Sequence, residues 1–117
     1  VNSDRPYHLK TLKLICFKLK QATKPNNYSQ FWFSIIERAI LDLSINTGNT
    51  LGGSIRNIVD GKRVGLTEPD ARAIRMSSIE YFQSDRFIHD CHACGLDLDY
   101  VQRIISALLY RTKKVAA

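Results

Sequence analysis

The stretch "FIHDCHACGLDLDYVQRII", residues 87–105, decides the fold. It sets His89, Cys91, His92 and Cys94 within six residues, then Gly95, then a second apolar rhythm. Two structures fit those letters: a metal knuckle, or two short helices folded about a glycine. Helical spacing separates them. With Ser84 as cap and Gly95 as stop, the first helix has about three turns of ~3.6 residues. Phe87, Cys91 and Cys94 then fall at i, i+4 and i+7 on an inward face. His89 and His92 share a different face, and His89 and its neighbour Asp90 point apart. Tetrahedral zinc needs four converging donors, usually a C-x2-C pair joined by a second such pair. Elsewhere the chain offers only Cys16 and His8, so a site from Cys91, Cys94, Cys16 and one histidine lacks its second pair. The cysteines read as small apolar residues, with no metal and no cofactor expected.

Gly95 suits a left-handed position just past a helix end, where any Cβ is penalised. Leu96 can turn back into the core, and Asp97 can cap a new helix. In that helix Leu98, Val101, Ile105 and Leu108 form an inward stripe, reinforced by Ile104. A helix, a three-residue turn and a second helix are thus written in order. Such a pair is the layout in which the second helix lies in the major groove of DNA.

These residues resemble the DNA-binding helix-turn-helix families. A small residue four before the turn glycine is Cys91, and the apolar residue after the glycine is Leu96. Apolar residues six and nine beyond the glycine are Val101 and Ile104. Asp90 departs from the pattern, which has an aliphatic residue there. The longer phrase "YFQSDRFIHDCHACGLDLDYVQRII", preceded by "FWFSIIERAILDL", is similar to the ends of short phage and prophage proteins, over residues 31–105. The first resemblance implies a transcriptional regulator that binds double-stranded DNA. The second implies a phage or mobile-element link.

The rest of the chain supplies context. Its 117 residues suit one domain, and 44% apolar with 24% charged residues reads as globular. No apolar run reaches the ~18 residues of a membrane span, so no membrane partner is expected. The N-terminus is polar and unlike a signal peptide. Three cysteines cannot all pair within one chain, which suits reduced thiols in a cytoplasmic protein.

The net charge of +6 is concentrated at the two ends. Residues 1–25 hold Arg5, Lys10, Lys13, Lys18, Lys20 and Lys24 against Asp4, and the tail holds Arg103, Arg111, Lys113 and Lys114. Clustered cations of this kind suit a phosphate backbone, from which they release counterions. A solvated surface accounts for them equally well.

The periodic segments predict an all-α domain of about five helices over residues 1–117. "HLKTLKLICFKLKQA" predicts a basic amphipathic helix over about 8–22, with Leu9, Leu12, Ile15, Cys16 and Leu19 inward. "KPNN" breaks the chain. A central helix over about 28–45 then buries Phe31, Ile35, Ala39 and Leu43, with Trp32, Ile36 and Ile40 beside them. Residues 46–66 hold most of the glycines, and their spacing matches no phosphate-loop fingerprint. Asp60-Gly61 fits a hairpin turn, while Leu51 to Val59 fits a short helix. "TEPDARAIRMSSIEYFQS" opens a further helix with Thr67 as cap and Ala71, Ile74, Ser78 and Phe82 inward. The helix-turn-helix occupies about 85–112.

No GxSxG, HExxH or paired Cys/His nucleophile signature occurs, so no enzyme is expected. The leading expectation is a sequence-specific DNA-binding regulator. Tyr100, Gln102, Arg103 and Ser106 would face base edges. Lys10, Lys13, Lys18, Lys20, Lys62, Arg63, Arg111, Lys113 and Lys114 would meet phosphates. A homodimer would pair two half-sites. The rival is a small helical adaptor docking on transcription, secretion or phage machinery through its basic helix and exposed aromatics.

Overall fold

The computed structural model describes residues 7–45, 58–59, 62–63 and 68–116, with side chains for 7–45 and 69–109. The fold is all-α: α1 (Leu9–Ala22), α2 (Asn27–Asp42), α3 (Glu68–Phe82), α4 (Asp85–Cys94) and α5 (Leu98–Ala116). One antiparallel ladder of two residues per strand, β1 (Ile58–Val59) and β2 (Lys62–Arg63), pairs Ile58 with Arg63 and Val59 with Lys62. That register favours the hairpin over a helix reaching Val59. The turn residues 60–61, and the Thr67 cap, lie outside the described residues.

α2 is the centre. It packs on α1, α3 and α4, and α4 packs in turn on α5. Asn26 caps α2, its side chain accepting from the Ser29 N–H at 2.8 Å. The helix ends at Asp42, three residues short of the expected end. Leu43, Ser44 and Ile45 continue as tighter turns, each N–H bonding the carbonyl three residues back.

The inward face of α2 is turned from the expected one. Ser29, Phe33, Ile36, Ile40 and Leu43 are buried, whereas Ile35 and Ala39 are half-buried and Phe31 is 61% exposed. So wide an apolar surface leaves its own phase undetermined, and the neighbouring helices choose it. In α3 the stripe is Ala71, Arg75, Ser78 and Phe82, with Ile74 half-buried. Arg75 is 1% exposed, and its Nη1 donates to the Ile45 carbonyl at 2.6 Å, just past α2. In α1, Leu12, Cys16 and Leu19 are buried as expected. Fully burying each leucine is worth about 1.5–3 kcal/mol.

α4 and α5 begin where the spacing predicts, and α5 runs to Ala116, past the expected end near 112. Ser84 caps α4, its hydroxyl accepting from the Phe87 N–H at 3.4 Å. Phe87, Cys91 and Cys94 are buried, and so are Leu96, Val101 and Ile105. Three residues, Gly95, Leu96 and Asp97, join the two helices. The last carbonyls of α4 are bonded from the corner between α1 and α2. Lys24 N–H donates to Cys94 at 3.2 Å and the Ser29 hydroxyl to Ala93 at 3.4 Å.

Gly95 ends α4 at φ 77°, with its N–H bonded to the His92 carbonyl at 3.0 Å. A Cβ there would lie 2.8 Å from the Lys24 side chain. Lys24 is flexible and can swing aside, so the left-handed backbone carries the cost. Gly95→Val is expected to destabilise the domain by about 1–2 kcal/mol or more in urea unfolding. Gly95→Asn should cost clearly less, since asparagine tolerates this conformation. Equal melting of Gly95→Val and the parent would contradict the turn.

Candidate nucleic-acid interface

The metal-ligand types of the deciding stretch separate as the helix wheel requires. Cys91 and Cys94 point into the core, and His89 and His92 are exposed. Among the described residues, no group of three or more His, Cys, Asp or Glu is arranged to hold a metal.

Burial, aided by Glu37, pushes the Cys16 thiol up to about 12. Burial, with Cys94 and Asp90 adding to it, pushes Cys91 to about 12, and burial with Asp90 pushes Cys94 to about 11. Unfolding returns these groups to their ordinary 9.0. Below that pH both states keep their protons and the stabilisation is whole. Above it the unfolded chain loses protons that the fold retains, so stability falls between about 9 and 12. Urea melts at rising alkaline pH should show this decline. At pH 8 a chromogenic disulfide reagent should leave the folded thiols nearly silent and titrate all three in denaturant. Fast native labelling would contradict their burial.

One polar cluster was not legible as such. Asp90, fully buried, accepts a hydrogen bond from the Tyr81 hydroxyl at 2.6 Å, tying α4 to α3. His89 Nδ1 lies 3.0 Å from the other Asp90 oxygen. The expectation that His89 and Asp90 point apart is therefore incorrect. The imidazole also meets Trp32 of α2 in a T-shaped contact, with ring centroids 5.1 Å apart. Burial, reinforced by Asp90, holds the Tyr81 phenol well above its usual range. A signal existed: Phe87, Asp90, Cys91 and Cys94 follow i, i+3, i+4, i+7, so the acid lies on the inward stripe. An acid in that position needs a donor from another helix.

The residues expected to read bases divide. Gln102, Arg103 and Ser106 are exposed on α5, off the stripe of the buried Val101 and Ile105, and Gln102 and Ser106 border a depression with Phe82, Gln83 and Phe87. Tyr100 is half-buried and packs against the core. Asp97 and Asp99 share a shallow depression with Gln102, Arg103 and Ser106 at the start of α5. Arg103 makes no ion pair with either acid among the described residues.

The phosphate candidates lie on separate elements. Lys10, Lys13, Lys18 and Lys20 are exposed on α1. Lys62 and Arg63 belong to β2, and Arg111, Lys113 and Lys114 to the last turns of α5. The α1 lysines share their face with Leu14 and Phe17, which are 60% and 61% exposed and were not singled out from the sequence. Both fall opposite Leu12, Cys16 and Leu19 on the helix, which is the signal that could have found them. Tyr28 and Phe31 are likewise exposed, beside Trp32.

No helix among the described residues is long and apolar enough to cross a membrane. No protein-family model, curated protein or solved structure matches this chain.

Proposed function

We propose that the domain is a sequence-specific regulator of a phage or mobile element that binds double-stranded DNA and reads base edges with α5. The observation that carries this reading is the turn at Gly95. It joins α4 to a helix whose apolar stripe faces inward and whose exposed side bears Gln102, Arg103 and Ser106. Arginine pairs bidentately with guanine and glutamine with adenine in the major groove. Ser106 is one turn from Gln102 and can reach a base or nearby backbone. Asp99 can accept from a cytosine amine beside them. Lys113, Lys114 and Arg111, on the same helix, supply phosphate contacts. Two copies would pair their α5 helices on half-sites about one turn of DNA apart.

The test is selection from a random duplex library, followed by isotherms at several salt concentrations. Arg103→Ala should cost ~1–3 kcal/mol on the preferred site and flatten preference at one base position. Lys113→Ala should weaken all sequences alike and lower the salt slope by about one. Retained preference in Arg103→Ala would remove α5 as the reader. If the parent selects no sequence, the regulator reading fails. The second reading, a helical adaptor without DNA contact, has its support in the exposed Leu14, Phe17, Tyr28 and Phe31.

A further inference from the structure

We infer that the outer face of α1 is a docking ridge for an acidic amphipathic helix of a partner protein. The inference does not depend on whether α5 reads DNA. α1 is already amphipathic inward, with Leu12, Cys16 and Leu19 buried against the core. On its outer side Lys10, Leu14, Phe17 and Gln21 follow i, i+4, i+7, i+11, the spacing of a helix-pairing seam. All four are exposed. Lys13 and Lys20 flank that seam on one side and Lys18 on the other, as the helical period places them. At its end the seam opens into a shallow depression lined by Phe17, Lys20, Gln21, Thr23, Pro25 and Gln30, where α1 meets the start of α2.

Charge and shape select the occupant. α1 contains four lysines and no acid from Leu9 to Ala22. A second copy of the same face would bring lysine against lysine. An intact DNA duplex would set its charged phosphate backbone against Leu14 and Phe17 and leave their apolar surface uncovered. A membrane-surface helix embeds a broad apolar face, and here the broad face is turned inward to the core. A partner helix with an apolar seam and glutamate or aspartate along its edges satisfies both parts of the ridge. The apolar seam covers Leu14 and Phe17, and the flanking carboxylates meet the lysines. Flanking charges of this kind choose the partner and its orientation.

The test uses the full chain and a displayed library of amphipathic helical peptides randomised at their surface positions. Enriched peptides should carry acidic residues beside an apolar seam. Their affinity should fall about tenfold or more on Phe17→Ala, as for an interface anchor. Lys13→Glu with Lys20→Glu should also abolish binding, and peptides whose acids are exchanged for lysine should restore it. Phe17→Ala is a surface change, so its melting temperature and its DNA selection should match the parent. Loss of DNA selection in that variant would instead assign the face to nucleic acid. No enrichment relative to the Leu14→Asp, Phe17→Asp protein overturns the inference, as do enriched peptides without acids. Phe17-dependent binding to phosphatidylserine-containing vesicles would assign the ridge to a membrane and overturn it equally.

Discussion

Phe87→Ala is expected to cost about 3–5 kcal/mol of folding stability, the usual range for removing a buried aromatic ring from a core. Phe87 is 1% exposed, near the start of α4. Its ring meets Phe82 edge-on at 5.3 Å and Tyr81 at 5.6 Å, while those two meet each other at 5.4 Å. These three rings join the end of α3 to α4 and belong to the cluster that includes Val101 and Ile105 of α5. Edge-to-face pairs add about 0.5–1.5 kcal/mol beyond area burial, so alanine loses volume and ring geometry together. The contrast is Phe31→Ala. Its ring is 61% exposed, and its loss should change stability by only about 0.5 kcal/mol or less. Urea unfolding of both variants checks the pair. A Phe31→Ala cost equal to that of Phe87→Ala would restore the inward face first expected for α2.

Tyr81→Phe should cost about 1.5–3 kcal/mol, the range for hydrogen bonds to charged groups. The hydroxyl is a donor to a carboxylate with no solvent exposure, and its loss leaves one Asp90 oxygen without that bond. His89 reaches the other oxygen, from an exposed position. Replacing both members should behave differently. Buried polar pairs exchanged for apolar residues of similar volume are often neutral or stabilising. Tyr81→Phe combined with Asp90→Leu should therefore recover most of the single-variant loss. The measurement is a double-mutant cycle in denaturant. Additive losses in the double variant would mean that Asp90 contributes through something other than Tyr81. Leucine at this position also supplies the aliphatic residue of the helix-turn-helix pattern, so recovery would show that the domain tolerates that pattern.

Local chemistry made much of the chain legible. Gly95 announced a left-handed helix end because every other residue bears a Cβ that penalises it. Ser84 precedes an apolar rhythm with a short polar side chain and caps the helix that follows, whereas Asn26, the cap of α2, sits in a stretch that reads only as a chain break. In α4 and α5, Phe87, Cys91, Cys94, Val101 and Ile105 form narrow stripes, and a narrow stripe has only one way to face a core. The exposed Gln102, Arg103 and Ser106 followed from the same periodicity. α2 shows the limit. Phe31, Trp32, Phe33, Ile35, Ile36, Ala39 and Ile40 surround so much of the helix that periodicity alone does not fix its rotation. Packing on α1, α3 and α4 chose Phe33, Ile36 and Ile40 as the inward line and left Phe31 outside. Arg75 and Asp90 are the other residues that the tertiary structure decided. In the sequence Asp90 stands only as a departure from the helix-turn-helix pattern, and its burial follows from the packing of α3 on α4. A buried charge is tolerable when a partner stands opposite, and Tyr81 and the Ile45 carbonyl come from other parts of the chain. Neighbours within one turn marked where the helices lie and where α4 stops at Gly95, while α2 ended at Asp42 and α5 ran on to Ala116. The tertiary structure determined which polar groups could be buried, because their partners meet only when the helices pack.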